Sequence, residues 1–178
     1  MKKIILCIAT SLDQRIANLD GGLEWLAGFP NFPKISYGYN DLLALVDTVI
    51  MGGRTYRELL NMDIIWPYKE LQTYVVTHYK WSAKENVSFI TENIIETILE
   101  LCKREGKDIW LIGGSELISI LLAVDLIDEM RIVYIPVILG KGIPLFFEQI
   151  KESKWELTAN KSYENGILTV SYRKIFGK

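Results

Sequence analysis

Twice in this sequence an apolar run of strand length meets a Gly-Gly pair and then a helix start. Thr48-Val49-Ile50-Met51 precedes Gly52-Gly53-Arg54-Thr55, and Ile109-Trp110-Leu111-Ile112 precedes Gly113-Gly114-Ser115-Glu116. Glycine lets the backbone approach a phosphate closely, and the free N–H groups and positive dipole end of the following helix favour the anion. One such turn reads equally well as a tight strand-to-helix connection. Two of them flanking a parallel sheet suit a dinucleotide pyrophosphate gripped from both sides. Neither matches the GxGxxG or the GxxxxGK[ST] pattern, so a nucleotide-binding fold of another kind is expected. A further segment, Thr77-His78-Tyr79-Lys80, ends a β-rich run where a reader of a free ribose 2′-hydroxyl would offer a carboxylate. Its donors favour a 2′-phosphate instead, although His78 or Lys80 taken singly also reads as a solvated loop residue.

These turns need strands to aim them. Ile4–Ala9 is a continuous apolar run, as expected of a strand buried on both faces. Thr10–Tyr39, rich in Gly, Pro and aromatics, reads as a long irregular segment, either functional or mobile. A short helix is expected over Asp41–Val46, and strands over Thr48–Met51, Thr73–Thr77 and Val87–Ile90. From Ile94 the apolar spacing predicts a helix, with Asn93 as N-cap, Glu96 at N3 and Gly106 past its end. Ile109–Ile112 reads as a strand, Ser115 as the cap of a helix through Ala123, and Met130–Leu139 as a long strand with Pro136 at a bulge or edge. Trp155–Ser162 and Ile167–Ile175 alternate around Asn165-Gly166, a β-hairpin signal. The pattern predicts a single three-layer α/β domain over residues 1–178, with a mostly parallel sheet, helices on both faces and a C-terminal antiparallel hairpin.

Composition excludes several classes. Of 178 residues, 49% are hydrophobic and 24% charged, so the chain folds compactly rather than staying disordered. A net charge of −2 with interspersed signs leaves no basic footprint for nucleic acid. With one histidine and two distant cysteines, Cys7 and Cys102, neither a zinc site nor a disulfide framework is expected. Met1-Lys2-Lys3 and the six apolar residues after it fall short of a signal peptide and read as the first strand. The apolar run Ile132–Leu139 is too short to cross a bilayer and reads as core or a homodimer contact, so a cytoplasmic protein without membrane association is expected.

Four motifs in order, Ser11-Leu12-Asp13 with Asp20-Gly21-Gly22 and Trp25, then Val49 to Tyr56, then Ile112 to Glu116, then Pro136 to Phe146, resemble the dihydrofolate reductase superfamily. Within it the chain is most similar to the branch represented by the C-terminal reductase domain of the bifunctional riboflavin-biosynthesis protein. The resemblance spans almost the whole chain and implies an eight-stranded sheet with NADPH across the strand ends. It implies that Gly52, Gly53, Arg54, Thr55 and Gly113, Gly114, Ser115, Glu116 hold the pyrophosphate and nearby ribose, with Ala9 and Ile112 among the cofactor contacts. Thr77 and His78 fall where the family meets the adenosine 2′-phosphate. The loop from Leu12 to Trp25 would cover the nicotinamide, and the helix near Asp41 would line the substrate pocket.

Two departures bear on cofactor affinity and on substrate, in that order. Gly53 stands where many members carry a basic residue, and Pro33 to Asn40 lacks the carboxylate that faces the pterin in dihydrofolate reductases. Reduction of a pterin C=N needs a proton near the hydride acceptor. The nearest acids here are Asp13 and Asp41, of which the family match favours Asp13; Trp25 reads as a site residue or a hydrophobic plug. The expected activity is NADPH-dependent reduction of a small heterocycle, an aminouracil of the riboflavin pathway. A divergent dihydrofolate reductase acting on a pterin, and a dinucleotide-binding module without turnover, are the alternatives. A left-handed backbone is expected at Gly114. The zinc deaminase signature is absent.

Overall fold

The computed structural model describes residues 1–27, 36–62, 64–79, 81, 84–147 and 150–175. Eight strands form one sheet in the order β5-β4-β3-β6-β1-β7-β10-β9. In chain order these are β1 (Ile4–Ser11), β3 (Val46–Gly52), β4 (Gln72–Val76), β5 (Val87–Ile90), β6 (Asp108–Gly113), β7 (Glu129–Ile135), β9 (Lys154–Ser162) and β10 (Leu168–Ile175). The six from β5 to β7 are mutually parallel, and the hairpin β9–β10 adds antiparallel to β7. The remaining strands, β2 (Arg15–Ala17) and β8 (Ile143–Pro144), make a separate two-stranded ribbon.

β1 is apolar from Ile4 to Ala9 because both its faces are covered. Ile4 and Leu6 join the core beneath α4 (Ile94–Lys103) and α5 (Ser115–Ala123), while Ile5 joins the core beneath α2 (Tyr39–Leu45) and α3 (Gly53–Asn61). Successive side chains of a strand point to opposite faces, so one run feeds two cores. The second core contains a row of rings in mostly edge-to-face contact, Tyr39, Trp110, Tyr68, Trp66, Tyr56 and Trp81, with successive centroids 5.4–5.6 Å apart. A smaller third cluster joins Tyr37, Ile135 and Ile167 with Ala9 and with Trp25 of α1 (Glu24–Ala27).

Several elements depart from the sequence expectation. Thr10–Tyr39 is not wholly irregular: it contains α1 and also β2, which pairs with the distant β8. The helix expected over Asp41–Val46 begins at Tyr39 and ends at Leu45, and Val46 already opens β3. Ser115 is not the cap of α5. Gly114 occupies that position, and the Ser115 hydroxyl donates instead to the Pro144 carbonyl, fastening the helix start to β8. Asn93 does precede α4 but in a left-handed conformation with no side-chain capping bond. β7 stops at Ile135 because Pro136 has no N–H to donate to the next rung. The hairpin turn is three residues wide, with Gly166 at φ 83° after Tyr163 N–H bonds the Ile167 carbonyl.

Candidate active site

β6 lies between β3 and β1, although the chain visits β4 and β5 before returning to it. The carboxyl ends of these strands therefore form the crevice that α/β sheets offer to ligands. Both Gly-Gly turns open there and meet. A Cβ on Gly52 would stand 3.6 Å from Gly114 N, and one on Gly114 would stand 3.7 Å from Thr55 Oγ1. Neither α3 nor α5 has a side-chain N-cap, so their first-turn N–H groups are left for a ligand. The left-handed glycine is Gly113, at φ 127°, and not Gly114, whose φ of −81° is ordinary. Its strain-free turn is what swings the chain from β6 into α5.

Thr77 lies at the same corner. A Cβ on Gly53 would come within 2.6 Å of Thr77 Oγ1 and 3.4 Å of Trp81. The absence of a basic side chain at position 53 thus has a steric counterpart, since Thr77 fills that space. Thr77 Oγ1 accepts from Tyr79 N–H at 3.1 Å, and His78 beside it is exposed. Arg54 and Glu116 are exposed at the first turns of α3 and α5. Ala9 and Ile112 are half-buried toward the ends of β1 and β6, both on the α2/α3 face. Lys80 lies outside the described residues, as do residues 33–35 of the carboxylate-free stretch.

The three candidate catalytic residues stand in different surroundings. Asp13 is tied down: Ser11 Oγ donates to its carboxylate at 2.6 Å, and the N–H groups of Leu139 and Gly140 donate at 3.0 and 2.8 Å. These donors, the Ser11 hydroxyl foremost, hold its carboxyl down at about 2. Its visible work is to pin the segment after β7 to the end of β1. Trp25 packs beside Ala9 and Tyr37, and its indole Nε1 is buried without a hydrogen-bond partner among the described residues. Asp41 is exposed on the first turn of α2 and lines a cavity of about 310 Å3.

That cavity holds residues sequence reasoning did not select: Cys7, Arg131, Thr169, Ser171, Lys161 and Tyr163. They come from β1, β7, β10 and the β9 strand and turn, and only sheet pairing brings them together. No local spacing marks them. Burial pushes the Cys7 thiol up to about 11, and the nearby Arg131 guanidinium pulls it partly back. Asp41 is the sole carboxylate among the described lining residues. No cluster of His, Cys, Asp and Glu suited to a metal occurs among the described residues, and none of their helices is long and apolar enough to cross a membrane.

NADPH fits the residues at the strand ends. The glycine at 114 leaves room that a side chain would fill, and two uncapped helix starts face the same crevice. Sheet order and paired glycine turns define an α/β protein of dihydrofolate-reductase type. A dihydrofolate reductase from Enterococcus faecalis solved with NADP(H) superposes with a TM-score of 0.68 at 19% identity, covering 97% of this chain and 96% of that one. The RibD C-terminal domain model matches residues 2–169, and the chain belongs to that family. YwjB from Bacillus subtilis (strain 168), an uncharacterized protein, is 38% identical over 167 residues, 93% of this chain and 95% of its own. A Shewanella sp. PV-4 protein whose name assigns it provisionally to riboflavin biosynthesis superposes with a TM-score of 0.87 at 29% identity, covering 98% and 99% of the two chains.

Proposed function

We propose that the protein is an NADPH-dependent reductase of a small heterocycle, nearest in type to the reductase of 5-amino-6-(5-phosphoribosylamino)uracil. The observation that carries this is the meeting of two uncapped, glycine-opened helix starts at the carboxyl ends of adjacent parallel strands. Membership of a reductase family supports it. The backbone of Gly52 to Thr55 and Gly113 to Glu116 would hold the pyrophosphate, and Thr77 with His78 the 2′-phosphate corner. Ala9, Ile112 and Trp25 would bound the nicotinamide, which supplies the hydride when bound.

The chain's own contribution is binding, orientation and exclusion of water. Asp41, at the cavity rim, is the group placed to exchange a proton with substrate. Asp13 acts as a positioning residue, because its carboxylate already accepts three donors. The half-buried charge of the cavity is Arg131, a donor, where a pterin's amidine edge would need an acceptor. This supports the aminouracil reading over the folate one.

The test offers purified protein and NADPH either dihydrofolate or the ribosylaminouracil phosphate, with NADPH oxidation followed optically. Turnover of the aminouracil alone is expected. Turnover of dihydrofolate alone would transfer the assignment to a divergent dihydrofolate reductase. NADPH binding without turnover of either would leave a dinucleotide-binding module.

A further inference from the structure

The floor of the cavity is laid out by strand register. Cys7 pairs with Arg131 and Arg131 with Ser171 across β1, β7 and β10; in the next rung Ala9, Val133, Thr169 and Lys161 line up in turn. Ser36, Tyr37, Gly38 and Asp41 form one wall, and Tyr163, edge-on to Tyr37 at 4.8 Å, forms another. The floor therefore presents a guanidinium and the Ser171 hydroxyl, with an ammonium at the rim, while the Thr169 hydroxyl donates to the Lys161 carbonyl at 3.4 Å.

The charge of this floor is not balanced from within. Arg131 reaches only Glu129, 3.9 Å away, and makes no hydrogen bond among the described residues. Glu129 is shared: it accepts from Lys3 Nζ at 3.0 Å and stands 4.0 Å from Arg173 Nε. One carboxylate thus faces three cations. Lys161 lies 5.0 Å over the Tyr163 ring and has no carboxylate partner among the described residues. A half-buried guanidinium with five donors and no acceptor in hydrogen-bond range is complementary to an oxyanion, which it grips in bidentate fashion.

We propose that this cavity seats an oxyanion of the substrate, a carboxylate or a phosphate, with Arg131 as the residue that selects it and Lys161 and Ser171 as supporting donors. The proposal rests on the reductase reading for its claim that the occupant is the substrate. The anion seat itself does not depend on cofactor or turnover.

Cys7, beside Arg131 in register, serves as a built-in probe. Its alkylation by iodoacetate and by the neutral iodoacetamide is compared by peptide mapping in the wild type, Arg131→Gln and Arg131→Lys. Cys102, buried in the core on the opposite face, is the internal control. The ratio of the two rates cancels any change in the thiol's own reactivity. We expect the iodoacetate-to-iodoacetamide ratio to fall roughly tenfold in Arg131→Gln and to be largely kept in Arg131→Lys.

In parallel, inorganic phosphate and acetate are titrated at constant ionic strength while thermal stability is followed. Either anion should raise the wild-type melting temperature and protect Cys7, and neither should do so in Arg131→Gln. Protection by phosphate alone assigns a phosphate, and protection by acetate alone a carboxylate. An unchanged alkylation ratio together with equal anion effects in wild type and Arg131→Gln overturns the proposal; if Cys7 resists both reagents, the anion titration alone decides. Neither readout uses NADPH, so failure of the reductase reading would appear separately, as loss of turnover with the anion seat intact.

Discussion

The crevice at the strand ends and the cavity on the sheet face share one sheet but are built from different materials. The crevice is backbone: Gly52, Gly53, Gly113 and Gly114 shape it by having no side chains, and the helix starts supply N–H groups. The cavity is side chain: Arg131, Lys161, Thr169, Ser171 and Asp41 reach it from separate elements. A backbone site depends on what is missing, so almost any added atom damages it. A side-chain site depends on what is present, so single deletions should weaken it by steps.

The sharpest test of that contrast is Gly114→Val. Its Cβ meets only Thr55 Oγ1, at 3.7 Å, so the apo protein should fold, yet the side chain stands in the crevice. We expect NADPH affinity to fall at least 100-fold by calorimetric titration, or about 2.7 kcal/mol, with a near-native circular dichroism spectrum. Retained binding would break the description of the crevice as a backbone cradle.

A smaller effect tests its one side-chain corner. NADPH should bind about tenfold more tightly than NADH, the worth of one charge-assisted hydrogen bond, and His78→Ala should erase most of that preference. Equal affinities for the two cofactors in the wild type would detach Thr77 and His78 from the site.

On the cavity side, Asp41→Asn should leave NADPH affinity unchanged and lower kcat/KM for the substrate by about tenfold, near 1.4 kcal/mol. Asp13→Asn should act differently, through position and stability. Its carboxyl lies at about 2 in the folded chain against about 3.9 unfolded. The unfolded chain therefore takes up the proton first as pH falls. The stability contributed by Asp13 is complete above about pH 4 and gone once pH passes below about 2. Asp13→Asn should melt a few degrees below wild type at pH 7, and the gap should close in strong acid. A constant gap across that range would deny Asp13 its clamping role.

How far the sequence announced these regions follows from how they are built. The Gly-Gly turns, the strands feeding them and the hairpin at Asn165-Gly166 are local, so their residues lie side by side and the parallel sheet and its crevice were legible. Local reading failed where a distant partner decides. Ser115 resembles a cap but spends its hydroxyl on Pro144. The bonds that Leu139 and Gly140, far along the chain, donate to Asp13 have no local signal either. Arg131 is one of two charges in β7, and only its pairing with Cys7 and Ser171 gives it a cavity to face.

The row of rings from Tyr39 to Trp81 has an optical consequence. Three of the five tryptophans, Trp66, Trp81 and Trp110, belong to it, while Trp25 and Trp155 lie outside. At centroid separations of 5.4–5.6 Å, excitation captured by one ring passes to its neighbours faster than it is emitted. The emission of these three tryptophans is thus that of a shared antenna, running from Tyr39 at the start of α2 to Trp81 beside Gly53. A quencher bound at either end darkens the whole row, and replacing one tryptophan changes the colour and lifetime of the others.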